Sequence, residues 1–297
     1  MAAVRHVPVM LAETLEFLSP KPGHTVCDCT LGGAGHAAAV LERITPGGLL
    51  IGLDRDPAAI ERGAAALAAF GDSVRLVHAN YGQLPGVLES LGVDAVDGLV
   101  ADLGLSTHQL FESGRGFSFG SDEPLDMRMD PSAGIPTAAD LVNAEPEAKL
   151  ADILYRFGEE RRSRAIARRI AAARRKGRIE TSAQLADIVA GAAGGRRGRI
   201  HPATRTFMAL RIAVNAELDH LSAFLDGFYG CLAPRGRAVV IAFHSLEDRL
   251  VKRRFRELAA TSGARVLTKK VVRPTKEETR ENPYARSARL RAVERGE

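Results

Sequence analysis

The motif DCTLGGAGH (residues 28–36) indicates how the first part of this chain folds. It follows a short apolar run and precedes a run of alanines, so we expect a glycine-rich turn between a strand and a helix. Such turns usually hold a nucleotide-like cofactor, because the backbone can approach the ligand closely. Residues 33–38 also fit the loose G-x-G-x-x-G/A pattern. This pattern is compatible with several nucleotide cofactors, and also with a tight turn that binds no ligand.

Short apolar runs alternate with helical stretches through the first hundred residues. The predicted strands are Thr25–Cys29, Leu49–Leu53, Val74–His78 and Val96–Ala101, and the predicted helices are Ala37–Ile44, Pro57–Phe70 and Gln83–Leu91. This alternation predicts βαβ units and a parallel sheet, which is an α/β fold. Because ligands of open α/β sheets bind at the carboxyl ends of the strands, polar residues at those ends are candidate site residues.

The alternation stops after Asp102. A loop rich in Gly, Ser, Asp and Pro covers residues 104–134, followed by predicted helices at Ala138–Asn143, Glu147–Phe157, Glu159–Arg175 and Ser182–Ala192 and a flexible loop at 194–198. The remaining predictions are one or two helices over Thr206–Leu232, a strand at Gly236–Phe243, a helix at Leu246–Ala260, and strands at Arg265–Val272 and Ser287–Ala292. We therefore expect a discontinuous sheet domain, residues 1–107 and 215–297, with an inserted all-helical domain, residues 108–214.

Composition is that of an ordinary globular protein. The 297 residues are 45% hydrophobic and 26% charged, and no apolar run approaches the roughly 18 residues of a membrane helix. The N-terminus lacks the apolar core of a secretory signal, so we expect a cytoplasmic protein without a membrane partner. Cys27, Cys29 and Cys231 are poorly spaced for a disulfide or for metal ligands, and we expect no metal site.

The net charge is +5, and many of the Lys and Arg residues are concentrated in three clusters. They comprise Arg161, Arg162, Arg164, Arg168, Arg169, Arg174, Arg175, Lys176 and Arg178; then Arg196, Arg197 and Arg199; then Arg249, Lys252, Arg253, Arg254 and Arg256. One such cluster is usually a solvated helix face, but three in one basic chain favour RNA or DNA as a partner.

Charge also distinguishes the candidate cofactors. Asp54 follows the turn by about one βα unit, where a carboxylate can accept hydrogen bonds from adenosine ribose hydroxyls. ATP is disfavoured because the turn lacks a P-loop lysine. NAD carries an anionic pyrophosphate, whereas S-adenosylmethionine carries a sulfonium and an ammonium, so Asp28 and Asp102 favour S-adenosylmethionine. Asp28 has the alternative role of capping the turn, and Tyr81, a candidate adenine contact, that of ordinary packing.

With these features in place, the sequence resembles the MraW/RsmH family. The matching segments are HVPVML, DCTLGGAGH, GLDRDP, ADLGLSTHQL, RGFSF, PLDMRMD, GEER, HPATRTFMALRIAVNAEL, AFHSLEDRLVK and NPYARSARLR, which span residues 6 to 290. The resemblance implies a class I (Rossmann-like) S-adenosylmethionine methyltransferase with a helical insertion. It also implies methylation of the exocyclic N4 of a cytidine in the decoding region of 16S rRNA, within the assembled small ribosomal subunit.

The resemblance further implies which residues bind the cofactor. They are Ala34, Gly35, His36, Asp54, Tyr81, Asp102 and Gln109. Gln109 comes from the resemblance alone, and His36 changes from a candidate base to part of the cofactor cradle. The chain departs from the family at Ala34, where many relatives have glycine, and at STHQL, where SPQL is common; neither change removes a functional group.

Catalysis of this reaction needs positioning and hydrogen-bond acceptors more than a strong base. We expect Asp102 and the backbone near Leu103 and Gly104 to accept hydrogen bonds from the target amine. Phe243 is predicted either to stack on an extruded base or to belong to the core, with Ser245 as the N-cap of the next helix.

Four arginines lie in the loops that most resemble the family: Arg115, Arg128, Arg205 and Arg211. All four are candidate contacts to the RNA backbone, and Arg128 and Arg205 have the alternative role of fixing the inserted domain to the sheet domain through Asp126 or Asp130. Two further functions stay open at this stage. One is a methyltransferase for protein or a small molecule, and the other is a nucleic-acid-binding module that retains the fold without activity.

Overall fold

The computed structural model describes residues 8–192 and 201–297. These fall into two compact units, which we call the sheet unit (residues up to 105, together with 218–297) and the helical unit (106–217). The domain limits predicted from sequence, 107/108 and 214/215, fall a few residues from these limits. The predicted loop at 194–198 and the cluster of Arg196, Arg197 and Arg199 lie outside the described residues.

The sheet unit is built on seven strands in the order β3-β2-β1-β4-β5-β7-β6. Their bounds are β1 Thr25–Asp28, β2 Leu49–Asp54, β3 Val74–His78, β4 Val96–Asp102, β5 Leu232–Ala242, β6 Arg265–Val266 and β7 Arg289–Glu294. Strands β1 to β5 pair in parallel, and β7 runs antiparallel to both β5 and β6. The strand order reverses between β1 and β4, so the carboxyl ends of these two strands form the switch point where α/β sheets bind ligands.

Thirteen helices are assigned in the described residues. They are α1 Leu11–Leu18, α2 Gly35–Ile44, α3 Pro57–Leu67, α4 Leu84–Ser90, α5 Thr107–Phe111, α6 Ala138–Ala144, α7 Glu147–Gly158, α8 Ser163–Arg174, α9 Ser182–Ala192, α10 Ala203–Val214, α11 Glu217–Cys231, α12 Ser245–Thr261 and α13 Lys276–Glu281. Helices α5 to α10 form the helical unit. None of the helices in the described ranges is long and apolar enough to cross a membrane.

Alternating strand residues cover the two faces of the sheet. Cys27 and Leu99 belong to the apolar cluster that includes Phe224 and Phe228 of α11, whereas the adjacent Val26 lies in the cluster on the opposite face. Successive side chains of a strand point to opposite faces, so each central strand contributes to both cores. This burial on both sides explains why the central strands are continuous apolar runs, and it confirms the predicted α/β fold.

Several of the predicted elements differ in extent; for example, the helix predicted at Glu159–Arg175 begins only at Ser163. The strand predicted at Arg265–Val272 is confined to Arg265–Val266, with one further bridge between Val272 and Leu290. The helical region Thr206–Leu232 is two helices, because the chain turns at Ala216, which has φ +47°. Residue Leu232 already belongs to β5, which begins four residues before the predicted Gly236.

Candidate cofactor site and active site

The glycine-rich turn connects β1 to α2 through two left-handed residues. Gly32 has φ +50° and Ala34 has φ +60°, and α2 begins at Gly35. The Gly32 N–H donates to Asp54 Oδ2 at 2.8 Å, which fixes the turn to the end of β2. The left-handed region favours glycine, so Ala34 costs roughly 1 kcal/mol relative to a glycine at this position.

The segment before α1 packs on the start of α2. A Cβ atom on Gly35 would overlap the ring of Pro8, so the close approach of these two segments requires glycine. The His36 ring reaches the Val9 carbonyl oxygen at 3.0 Å through Nε2, and its Nδ1 lies 3.8 Å from Asp102 Oδ2. His36 is buried, so it is a positioned part of the turn rather than an exposed base.

Asp28 and Asp102 end the neighbouring strands β1 and β4 at the switch point. Thr30 links the two ends: its N–H donates to Asp28 Oδ1 at 3.1 Å, and its Oγ1 accepts from the Asp102 N–H at 2.6 Å. The other oxygen of Asp28, Oδ2, and Oδ1 of Asp102 are buried and have no hydrogen-bond partner within the described chain. Asp28 therefore caps the turn with one oxygen and leaves the other for a ligand.

Burial dominates the titration of both carboxyl groups. The pKa of Asp28 is raised to about 7, mainly by burial and also by the nearby Asp54 charge, against the hydrogen bonding of Thr30. Burial, followed by the charges of Asp28, Glu247 and Glu278, raises the pKa of Asp102 well above its usual range. Two such groups can both ionise only when a positive charge compensates them. The two carboxylates therefore fit a cationic ligand, and they would repel the anionic pyrophosphate of NAD.

Asp54 ends β2 at the same edge of the sheet. Its Oδ1 accepts from the Asp56 N–H and its Oδ2 from the Gly32 N–H, both at 2.8 Å. Burial raises the pKa of Asp54, although these two hydrogen bonds lower it. An ionised carboxylate accepts about four hydrogen bonds. Asp54 therefore retains lone pairs for ribose hydroxyls while the backbone fixes its orientation.

Tyr81 and Gln109 have clear structural roles. Tyr81 follows β3 and is half-buried, with its ring packed edge-on against Phe224 at a centroid distance of 5.8 Å. Gln109 belongs to the helical unit, where its Oε1 accepts from the Ser106 N–H at 3.0 Å and completes the capping box of α5. Cofactor contacts by these two residues stay predictions.

The residues after β5 correct one prediction. Ser245 is not the N-cap of α12; His244 is, and its Nδ1 accepts from the Glu247 N–H while Glu247 Oε2 accepts from the His244 N–H. A capping pattern in the sequence does not predict this N-cap, because here the ring nitrogen of a histidine replaces the usual hydroxyl or carboxylate acceptor. Glu247 Oε2 also accepts from the Phe243 N–H at 2.9 Å.

Phe243 lies half-buried against Gly104, which follows β4. Gly104 has φ +124°, and a Cβ atom there would lie 3.1 Å from Phe243 Cδ2. Only glycine fits both the backbone conformation and the contact. Gly104 and Glu247 thus fix Phe243 from two directions, a role that the sequence pattern does not predict for either residue.

The predicted RNA-contact arginines differ in how they are bound. Arg128 makes a two-point ion pair with Asp126 in its own loop, at 2.8 and 2.7 Å. Arg115 donates to the carbonyl oxygens of Arg128 and Met129, and Arg211 pairs with Glu217 at 2.7 Å, all within the helical unit. Arg205 is exposed, and its contact with the Glu159 carbonyl oxygen is long, at 3.4 Å.

Comparison with known proteins identifies the family of this chain. The model of the MraW methylase family matches residues 3–296. The chain belongs to the MraW methylase family. Curated relatives include proteins named ribosomal RNA small subunit methyltransferase H. That of Pelobacter propionicus is 51% identical and covers 99% of this chain and 100% of its own length. That of Thermomicrobium roseum is 48% identical and covers 98% and 93%.

Solved structures resemble this MraW-family chain more distantly. The N-methyltransferase NodS from Bradyrhizobium japonicum has a TM-score of 0.46 at 9% identity, covering 97% of this chain and 94% of its own. Aeropyrum pernix fibrillarin bound to S-adenosyl-L-methionine has a TM-score of 0.43 at 13% identity, covering 95% and 73%.

Family membership makes this chain a class I methyltransferase with S-adenosylmethionine as its cofactor. The residues present fit that cofactor, because a sulfonium and an ammonium are the charges that two buried carboxylates at a switch point can accept. The methyltransferase function predicted from the sequence is therefore confirmed.

Proposed function

We propose that this MraW-family enzyme methylates the exocyclic N4 of a specific cytidine in the decoding region of 16S rRNA, within the assembled small ribosomal subunit. The observation that carries the proposal is the pair of buried carboxylates, Asp28 and Asp102, each with an oxygen that no described residue hydrogen-bonds. The names of the curated relatives support small-subunit rRNA as the substrate. We expect the reaction to occur in the cytoplasm.

The cofactor is proposed to lie along the carboxyl ends of β1, β2 and β4. Its contacts are Ala34, Gly35, His36, Asp54, Tyr81, Asp102 and Gln109. Asp28 faces its positive charge with the oxygen that no described residue hydrogen-bonds. When bound, S-adenosylmethionine supplies a methyl group on a sulfonium, whose leaving group is a neutral thioether. The protein therefore has to orient the groups and balance charge rather than activate the donor.

Asp102 is proposed as the catalytic residue. One of its oxygens lies toward His36, and the other has no partner among the described residues, so one carboxylate can keep its position and still accept a new hydrogen bond. The amine must lose a proton once it is methylated. A carboxylate with a raised pKa is suited to accept that proton, because its protonated form is favoured by burial. The backbone at Leu103 and Gly104 supplies further acceptors beside it.

Phe243 is proposed to stack on the target base once the base is extruded. It is half-buried, is fixed by Gly104 and Glu247, and follows β5, the neighbour of β4. An aromatic ring held in this way binds any flipped base by its flat face. Arg128 and Arg205 stay proposed RNA contacts, and the helical unit is proposed to recognise the RNA.

Nucleoside mapping tests this function. The protein is incubated with labelled S-adenosylmethionine and either naked 16S rRNA or assembled small subunits that lack the modification, and the labelled nucleoside is identified. The proposal expects N4-methylcytidine at one site in the assembled subunit. Label found only in protein, or in a different nucleoside, would overturn it.

A further inference from the structure

One segment of the helical unit contains many basic residues and no acidic ones. Residues 161–179 contain nine Lys and Arg residues and no Asp or Glu. They cover α8 and the turn after it. The comparable helix α12 carries exposed arginines too, but Glu247, Asp248 and Glu257 lie among them. The α8 segment is therefore the more strongly basic of these two segments.

Some of these cations hold the helical unit together. Arg174 donates to the carbonyl oxygens of Val142 and Glu145 at 2.8 and 2.7 Å, and thereby satisfies the end of α6. Arg178 pairs with Asp140 at 2.6 Å. These two residues are structural. In contrast, the Arg168 side chain is 78% exposed, and its Nε lies 3.9 Å from Glu147 Oε1, which is at the limit of an ion pair. Lys176 follows the end of α8 and is also exposed.

A cavity of about 760 Å³ lies between α8 and α9. We call it the α8–α9 groove; its cations are Arg168, Arg169 and Lys176, and its single carboxylate is Asp187. Three positive charges less one negative charge leave its lining at +2. The rest of the lining is mainly alanine and glycine, so within the described residues small side chains border the groove. Arg168 and Lys176 are eight residues apart, which is roughly 12 Å along the helix direction.

Arg169 is held in position within this groove. Its Nη1 donates to the Gly191 carbonyl oxygen at 3.0 Å, and a Cβ atom on Gly191 would lie 2.7 Å from Nη2. The guanidinium therefore lies directly on Gly191. A guanidinium has five N–H donors, so this contact leaves others for a ligand and reduces the conformational entropy that binding would cost.

We propose that the α8–α9 groove binds the sugar–phosphate backbone of the substrate RNA, with phosphates at Arg168, Arg169 and Lys176. This inference rests on the proposed function and names the surface through which the helical unit would hold its RNA. Phosphate contacts of this kind fix the position of the RNA without reading its sequence. They affect binding rather than the chemistry at Asp102.

The test compares three variants with the unaltered protein. Arg168→Gln/Lys176→Gln removes two groove charges. Gly191→Ala keeps every charge but displaces the Arg169 guanidinium, and alanine suits a helix. Lys269→Gln/Lys270→Gln is the matched control, because it removes two exposed charges from the sheet unit. Thermal melting checks that each variant is folded.

Binding is measured with unmethylated small ribosomal subunits over a range of salt concentrations, together with the methylation rate. We expect Arg168→Gln/Lys176→Gln to weaken binding about tenfold and to reduce the slope of log K against log[salt] by roughly 1.4, since each lost phosphate contact removes about 0.7. KM for the subunit should rise while kcat stays unchanged. Gly191→Ala should weaken binding severalfold, and the control should stay within twofold.

Groove variants that match the control in affinity and in salt slope would overturn the inference. The proposed function fails by a different result, namely absence of methyl transfer to the subunit by the unaltered protein. The binding comparison decides the role of the groove in either case.

Discussion

Asp102 combines one carboxylate oxygen near His36 with a second, buried oxygen that no described residue hydrogen-bonds. Asp102→Asn keeps the size of the side chain but removes its charge and its ability to take a proton. We expect kcat to fall at least about 100-fold, in the range typical of a general base or a charge-stabilising group. Steady-state methylation of small subunits measures this. Asp226→Asn, an exposed site on α11, is the control and should keep full activity.

Gly104 occupies a position where the backbone conformation and the neighbouring Phe243 ring admit only glycine. Gly104→Ala places a Cβ atom 3.1 Å from Phe243 at φ +124°. We expect a loss of about 2 kcal/mol in the free energy of unfolding and a lower activity, because either the backbone or Phe243 has to move. Urea denaturation measures the first effect.

Gly86 provides the matched control for that substitution. It is an exposed residue within α4, and a Cβ atom there would have nothing within 4 Å. Gly86→Ala should raise stability by about 0.5–1 kcal/mol. Equal responses at the two glycines would contradict the role of Gly104.

Single residues at strand ends were the part of the site that the sequence could predict. Asp28, Asp54 and Asp102 each follow an apolar run, and the topology of a parallel sheet places such residues at one edge. Thr30, which links two of them, and Glu247, which holds Phe243, could not be predicted in this way. Their roles depend on contacts between segments that lie far apart in the sequence, as in the Thr30–Asp102 hydrogen bond.

At the level of elements, the start of α12 supports the carboxyl end of β5. Glu247 is buried, and its Oε2 accepts from the N–H groups of Phe243 and His244. Glu247→Ala leaves these donors unsatisfied, so we expect a loss of about 2 kcal/mol in stability and a further loss of activity through Phe243.

Chemical denaturation with a parallel activity assay checks the Glu247 prediction. Glu257→Ala is the control on the same helix, because Glu257 is exposed and its one ion pair within residues 8–192 and 201–297 is with Arg254 at 3.1 Å. Exposed pairs of this kind contribute less than about 1 kcal/mol. If Glu257→Ala cost as much as Glu247→Ala, the buried capping box would not be the cause.

The strand predicted at Arg265–Val272 illustrates what local patterns cannot supply. Its residues favour a strand, but after Val266 a side-chain oxygen replaces a backbone carbonyl in the hydrogen bonds to β7. Thr268 Oγ1 accepts from the Ala292 N–H at 3.0 Å, in place of a backbone carbonyl. Threonine is common in strands, so the pattern carries no sign of this exchange. By contrast, the central strands were predictable because burial on both faces selects long apolar runs.

At the scale of the whole molecule, the buried carboxyl groups make the stability of the ligand-free protein depend on pH. The pKa of Asp28 is raised from 3.8 to about 7, so the folded state binds a proton that the unfolded chain releases. This contribution to stability is complete below about pH 4 and is lost as the pH rises through 7. Asp126, Asp140 and Glu294 have lowered pKa values and lose their contributions only at more acidic pH.

We therefore expect the ligand-free protein to lose stability between pH 5 and pH 8. The loss attributable to Asp28 is about 3 kcal/mol. It accumulates over the roughly two pH units between pH 5 and the folded-state pKa of about 7, at about 1.36 kcal/mol each. Thermal melting across this range measures it. Asp28→Asn should flatten the profile, whereas Asp226→Asn should leave it unchanged. A profile that rises with pH in both the unaltered protein and Asp28→Asn would rule out this origin.

The same carboxyl group links pH to cofactor binding with the opposite sign. A cationic ligand binds the ionised form of Asp28, and with a pKa of about 7 the ionised fraction rises from about 9% at pH 6 to about 76% at pH 7.5. The affinity for S-adenosylmethionine should therefore increase about eightfold over this interval, while the ligand-free protein becomes less stable. Isothermal titration at several pH values measures the change. In Asp28→Asn the affinity should be lower and should rise less with pH, because Asp102 is then the only one of the two carboxyl groups that can develop a charge to attract the ligand. An unchanged affinity between pH 6 and pH 7.5 in the unaltered protein would mean that Asp28 does not face the positive charge of the cofactor.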